Sequence, residues 1–84
     1  MNSYITFLAN SYGDAHAMTK ILLVESKASI EIVPVIGNDN NMVYFIFCSG
    51  LTRKDLKRLS KRHSPLFVTI GLSKETIRSI QSNR

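Results

Sequence analysis

The residues of this chain best suited to chemistry are a dense group of cations. Six Lys or Arg residues fall within the ten positions from 53 to 62. They are Arg53, Lys54, Lys57, Arg58, Lys61 and Arg62. Such clusters are typical of surfaces that bind polyanions, because each contact with a phosphate releases condensed counterions. The pattern therefore predicts a polyanionic partner, most often a nucleic acid.

The charge of the chain is divided unevenly between its two parts. Residues 1–52 hold two cations and four acidic residues, a net charge of −2, whereas residues 53–84 hold nine cations and two acidic residues, a net charge of +7. The formal net charge of +5 is therefore an average over two unlike halves. This asymmetry favours a polyanionic partner, but it does not distinguish RNA or DNA from an acidic protein surface.

A helix is the element that would gather these cations on one surface. Thr52 is suited to be its N-cap, Asp55 lies three residues later as in a capping box, and Ser64-Pro65 ends the segment. At about 100° per residue, Leu56 and Leu59 share an apolar stripe and all six cations lie on the other half of the helix. Because only Asp55 relieves these like charges, their repulsion opposes folding unless an anion binds.

Two further cations, Lys74 and Arg78, are four residues apart on a predicted short last helix and would extend this surface. The eight cations together are the predicted nucleic-acid-binding residues. Two other interpretations stay open at this point: the helix face is merely solvated, or it meets an acidic protein.

The chain offers little for catalysis or for binding a metal ion. Asp14 and His16 are close in sequence, but no Cys or Glu cluster completes the three or four ligands that a metal requires. His63 is expected at a helix C-terminus, where a cation is favoured, and Cys48 in an apolar strand is expected to be inert. We predict no catalytic residue, no metal, no cofactor and hence no enzyme.

The predicted elements alternate in the order β-α-β-β-α-β, followed by the short last helix with Ile77 and Ile80. The five main segments before and after the basic helix are residues 4–9, 14–27, 29–36, 42–48 and 66–72. Two β-α-β units that share one antiparallel sheet predict an α+β, ferredoxin-like βαββαβ fold with a four-stranded sheet. At 84 residues, positions 1–84 are expected to form a single compact domain.

In the first helix, Met18, Ile21, Leu22 and Val24 recur at a helical spacing that predicts its buried face.

Apolar side chains are expected on both faces of the sheet. In the third strand, alternation groups Val43, Phe45 and Phe47 on one face, which we interpret as core rather than as a base-stacking platform. Met42, Tyr44 and Ile46 then lie on the other face, which is apolar enough for a homodimer or partner interface. Pro34 predicts that the second strand lies at a sheet edge or bulges at that residue.

The longest apolar run, residues 42–48, is far shorter than the roughly 20 residues of a membrane-spanning helix. A single cysteine rules out an internal disulfide and is typical of a reducing compartment. We therefore expect a soluble, cytoplasmic protein that does not contact membranes.

The βαββαβ order at this length resembles the small CRISPR-associated nucleases of ferredoxin-like fold and small antitoxin domains of the GhoS type. Those nucleases carry an Asp at the end of the first strand, whereas this chain has Leu8-Ala9-Asn10 there. The departure puts metal-dependent cleavage in doubt. A short, basic chain with an Asn-rich turn is also similar to the phage-encoded, toxin-neutralising proteins of the TifA type, which are associated with RNA and an endoribonuclease toxin.

These resemblances imply an antitoxin-like inhibitor that binds RNA, an endoribonuclease toxin or both, in the host cytoplasm if the chain is phage-encoded. The alternatives are a protein-interaction or dimerisation module with an acidic partner, and a metal-dependent nuclease of the CRISPR-associated type.

Overall fold

The computed structural model describes residues 4–37, 39–64, 66–70, 75–76 and 79. Its elements, in chain order, are β1 (Tyr4–Ala9), α1 (Tyr12–Glu25), β2 (Ser29–Ile36), β3 (Met42–Ser49), α2 (Arg53–Arg62) and β4 (Thr69–Ile70). The strands form one four-stranded antiparallel sheet in the order β2-β3-β1-β4. The α+β class and the four-stranded antiparallel sheet are thereby confirmed. Ile77 and Ile80 of the predicted last helix lie outside the described residues.

The β2–β3 hairpin forms where the Gly- and Asn-rich turn predicts it. The Gly37 amide donates to the carbonyl oxygen of Asn41 over 2.8 Å, and Asp39 Oδ1 accepts from the Asn41 amide over 3.1 Å. Asn40 adopts a φ of 64°, which Asn tolerates better than most residues. The hairpin leaves β2 at the edge of the sheet, so the edge position predicted from Pro34 is confirmed.

Helix α1 begins and ends two residues earlier than its periodicity indicates. Ser11 is the N-cap, because its Oγ accepts from the Asp14 amide over 3.1 Å, and the helix starts at Tyr12. At the other end, the Ser26 hydroxyl donates to the carbonyl oxygen of Leu22 over 2.7 Å. Ser26 is extended, so the helix stops at Glu25.

The buried face of α1 consists of Ala15, Met18 and Leu22. The prediction that Val24 belongs to this face is wrong, since its side chain is 84% exposed. Val24 follows Leu22 by about 200° around the helix and therefore faces away from the sheet. The sequence did not reveal the exposure of Val24, because the neighbouring Leu23 is also apolar and extends the apolar part of the helix surface beyond the buried face.

Strand β4 is shorter within the described part of the chain than the segment 66–72 that we expected. The Leu66 amide donates to the carbonyl oxygen of His63 over 2.7 Å, which closes a turn after α2. Pairing with β1 begins only at Thr69, and Thr6 lies opposite Ile70. Residues 71–72 lie outside the described part of the chain.

Both faces of the sheet carry buried apolar side chains. The larger cluster joins the sheet to both helices and consists of Phe7, Ala9, Ala15, Met18, Leu22, Ile46, Cys48, Leu59 and Phe67. The second cluster lies on the opposite face and consists of Val33, Val35, Phe45 and Phe47. Within the described residues, no helix is both long enough and apolar enough to cross a membrane.

The interpretation of Phe45 and Phe47 as core is confirmed, since they are only 8% and 0% exposed. The expectation that Tyr44 and Ile46 lie on a face free for a dimer is wrong. Ile46 is fully buried and Tyr44 packs against the same cluster, on the side that the helices cover. Alternation separates the two faces correctly, but with both faces apolar it does not indicate which one the helices take.

Candidate nucleic-acid interface

Helix α2 is fixed at its start by the capping box that the sequence predicts. Thr52 Oγ1 accepts from the Asp55 amide over 3.1 Å, and Asp55 Oδ2 accepts from the Thr52 amide over 3.2 Å. Leu59 is fully buried and Leu56 is half-buried, so the predicted stripe faces the core. A buried Leu stabilises by about 1.5–3 kcal/mol and a Thr cap by about 1 kcal/mol. These contacts set the direction in which the cations of α2 project.

The cations of α2 are not equivalent. Five are exposed, namely Arg53, Lys54, Lys57, Lys61 and Arg62. Arg58 is half-buried and contacts the last residue of α1. Lys74 and Arg78, which the sequence adds to the same surface, lie outside the described residues.

Arg58 and Arg62 both approach the C-terminal end of α1. Arg58 Nη2 donates to the backbone carbonyl oxygen of Glu25 over 2.7 Å and to Asp55 Oδ1 over 2.9 Å. Arg62 Nη1 lies 3.5 Å from Glu25 Oε1, and Arg58 Nε lies 3.9 Å from the same oxygen. Two of the six cations that the sequence places opposite the apolar stripe of α2 are therefore engaged by the end of α1.

His63 is the third group that meets Glu25. Its Nε2 lies 2.8 Å from Glu25 Oε2, and its ring makes an edge contact with Phe67 at a centroid distance of 6.0 Å. His63 is also the C-cap of α2, as its place in the sequence indicates. A single carboxylate at the end of α1 therefore holds the last turn of α2 in place.

The pKa of Glu25 lies below its ordinary value. The hydrogen bond with His63 is the main cause, and the charges of Arg62, His63 and Arg58 act in the same direction, against partial burial. Glu25 Oε1 is buried and makes no hydrogen bond within the described residues. The ion pairs with Arg58 and Arg62 therefore offset the cost of burying this charged oxygen. The pKa of Asp55 is also lowered, first by the Thr52 amide and then by Arg58.

Glu25 is the residue of this surface that sequence reasoning missed. An acidic residue in the last turn of a helix opposes the helix dipole and needs a cation from another element. That mismatch was visible in the sequence. The partner was not, because it depends on how the two helices pack.

Helix α1 adds a cation to the outer side of the helical layer. Lys20 lies about 160° around α1 from the buried Leu22, and Lys57 lies about 160° around α2 from the buried Leu59. Both helices cover the same face of the sheet, so these lysines project in the same general direction. Lys20, Lys57 and Lys61 make no ion pair or side-chain hydrogen bond within the described part of the chain.

An exposed aromatic group lies at the start of α1. Tyr12 is 70% exposed, stacks on His16 at a centroid distance of 6.2 Å and makes an edge contact with Tyr44 at 6.0 Å. The aromatic side chains Phe7, Phe45 and Phe47 are instead buried, so no platform of these rings is open for base stacking.

The end of β1 is the place where the CRISPR-associated nucleases carry an acidic residue. Asn10 follows the strand here, beside the first turn of α1. Among the described residues, no group of three or more His, Cys, Asp or Glu side chains is arranged to hold a metal ion.

Comparisons with known proteins give no relative: no family model, no curated protein and no solved structure matches this chain. The interpretation of the candidate site therefore rests on the geometry of this chain alone.

Proposed function

We propose that this protein is a non-enzymatic, RNA-binding inhibitor of the antitoxin type. It would place the outer face of α2 against RNA phosphates, on free RNA or on an endoribonuclease toxin that holds RNA. One observation carries the proposal. The acidic residues Glu25 and Asp55 are engaged by Arg58, Arg62, His63 and the Thr52 cap, so they do not neutralise the lysines that project outward.

Charge separation of this kind distinguishes the surface from an ordinary solvated helix. A solvated face gains stability from alternating charges at i,i+4. Lys54, Lys57 and Lys61 instead share one side of α2, and the acid of this helix, Asp55, is engaged by the Thr52 amide and Arg58. The three lysines extend over about 10 Å of helix. A phosphate backbone would relieve their repulsion and release its counterions.

We propose further that the fold is ferredoxin-like and that the protein is cytoplasmic. The chain order β-α-β-β-α-β and the sheet order β2-β3-β1-β4 support the fold, since two β-α-β units then share one antiparallel sheet. The buried free thiol of Cys48 fits a reducing compartment.

RNA binding at increasing salt concentration tests the proposal. The variant Lys57→Glu/Lys61→Glu is compared with the wild type and with Lys57→Arg/Lys61→Arg, which keeps both charges. Each phosphate contact contributes about 0.7 to the slope of log K against log salt for a single strand. We expect the Glu variant to lower affinity and to reduce the slope by about 1.4, and the Arg variant to retain both. Equal, salt-independent binding by all three proteins would overturn the proposal.

A second candidate function is a protein-interaction or dimerisation module. It is favoured by Leu23 and Val24, which are 66% and 84% exposed and lie between the exposed Lys20 and Lys27. Apolar side chains flanked by cations fit an acidic partner or a second copy of the chain. If the wild type binds no RNA, and Leu23→Ser/Val24→Ser converts a dimer into a monomer in sedimentation, this candidate replaces the first.

A further inference from the structure

A cleft opens at the end of β1, beside the first turn of α1 and the segment that joins α2 to β4. Its volume is about 450 Å³, which lies within the range of small-molecule sites and exceeds the size of a nucleobase. The cleft lies next to the basic surface, because His63 and Ser64 of its lining directly follow Lys61 and Arg62 of α2.

Part of the lining is apolar. Met18 is fully buried and belongs to the core, and Leu66 is half-buried against the same cluster. Val68 is 54% exposed, although it is a large apolar side chain. A flat, apolar ring surface in the cleft would cover Val68 and pack against Leu66.

The polar part of the lining has unused hydrogen-bonding capacity. The side chains of Asn10, Asp14 and Ser64 make no hydrogen bond or ion pair within the described residues. The capping contact of Ser11 reaches the Asp14 backbone amide and leaves its carboxylate unengaged. A ligand can therefore bind to these groups without breaking a bond inside the protein.

His63 gives the cleft one rigid wall. Its ring is held by Glu25 over 2.8 Å and by the edge contact with Phe67. A wall that is ordered before binding lowers the entropic cost of association. The contact between Glu25 and His63 therefore orders the cleft as well as the end of α2.

We propose that this cleft binds an unpaired guanine base of the RNA, and this inference rests on the proposed RNA-binding function. The Asp14 carboxylate accepts from two adjacent donors, and guanine alone among the four bases presents two neighbouring donors, N1–H and the N2 amino group. The Asn10 amide donates to guanine O6. Proteins that recognise RNA sequence read the Watson–Crick edges of unpaired bases in this way.

The position of the cleft also fits the path of the RNA strand that carries the base. Since His63 and Ser64 line the same cleft, the phosphate of a base held between Asn10 and Asp14 would lie near the last turn of α2, where Arg62 is 61% exposed and Lys61 is exposed. The lysines of α2 would thus set affinity through phosphates, whereas the cleft would select the base.

The test uses short oligouridine strands that contain a single guanosine, inosine or adenosine. Inosine lacks only the N2 amino group, so the ratio of guanosine to inosine binding isolates the contact with Asp14. We expect roughly tenfold preference for guanosine in the wild type and its loss in Asp14→Asn. Asp39→Asn, which makes the same charge change in the β2–β3 turn, should keep the preference. Thermal melting verifies that each variant is folded.

The possible outcomes separate this inference from the proposed function. Equal binding of all three strands by the wild type overturns the guanine site, even if Lys57→Glu/Lys61→Glu weakens every strand. Retention of the preference by Asp14→Asn overturns it as well. Guanosine monophosphate is titrated in parallel with inosine monophosphate. Selective binding of the guanosine nucleotide by a protein that binds no RNA would support the cleft and overturn the RNA-binding proposal. If the protein neither binds RNA nor selects guanosine monophosphate, both the RNA-binding proposal and the guanine site are overturned.

Discussion

The Arg58 guanidinium donates a 2.7 Å hydrogen bond to the backbone carbonyl oxygen of Glu25, 33 residues earlier in the chain. Glu25 is the last residue of α1, where carbonyl groups lack partners within the helix. Arg58 supplies one of these partners and also pairs with Asp55 of its own helix. It joins two helices, whereas the neighbouring Lys57 is exposed and unpaired.

This contact predicts different roles for adjacent cations. Arg58→Gln should lower the free energy of unfolding by about 1–2 kcal/mol, because it removes hydrogen bonds to Glu25 and Asp55 that are partly open to solvent. Lys57→Gln, the matched control, should change it by less than about 0.5 kcal/mol. Urea unfolding at neutral pH measures both values.

RNA affinity should show the opposite order at a temperature where both variants are folded. Lys57→Gln should weaken binding and reduce the salt slope by about 0.7, and Arg58→Gln should affect binding less. Equal stability of the two variants would contradict the bridging role of Arg58.

The lowered pKa of Glu25 makes stability sensitive to acid. Glu25 has an ordinary pKa of 4.5 in the unfolded chain and a lower pKa when folded, so the unfolded chain binds the proton more readily. The ionised group therefore contributes stability above about pH 4.5, and this contribution is lost as the pH falls through the folded value. The free energy of unfolding should decrease as the pH is lowered below about 4.5, as measured by urea titration.

The variant Glu25→Gln separates this effect from general acid denaturation. Glu25→Gln should be less stable than the wild type at pH 7 and should lose less stability on acidification. Asp39 and Asp55, whose pKa values are also lowered, contribute to the acid sensitivity that remains. A wild-type profile for Glu25→Gln would show that the contacts of Glu25 with α2 do not form in solution.

Burial predicts that Cys48 is inert in the folded protein. Cys48 is fully buried, and burial raises the pKa of its thiol to about 12. Since the thiolate is the reactive form, the native protein should react with a disulfide reagent at pH 8 only as fast as it unfolds. Addition of urea should make the reaction fast, and rapid labelling without urea would contradict the packing under the helices.

The local elements were largely predictable from sequence. Strong signals such as the Thr52 cap and the turn around Asp39 depend on neighbours within a few residues, and both are confirmed. The edge position of β2 was indicated by Pro34 alone, because its missing amide donor disfavours a central strand. The exposure of Val24 was not predictable, because a continuous apolar run leaves the direction of the buried face ambiguous.

For the candidate surface, too, the local features were predictable from the sequence, whereas the contacts between distant elements were not. The sequence alone determined that six cations share α2, that Leu59 anchors it, and that the chain has an α+β organisation, since these properties follow from composition and periodicity. Only the tertiary structure decided that Arg58, Arg62 and His63 converge on Glu25, while Lys57 and Lys61 stay unpaired. It also brought Asn10, Asp14 and His63 to one cleft. The physical reason is that ion pairs and clefts depend on how distant elements pack, and local propensity carries no information about that geometry.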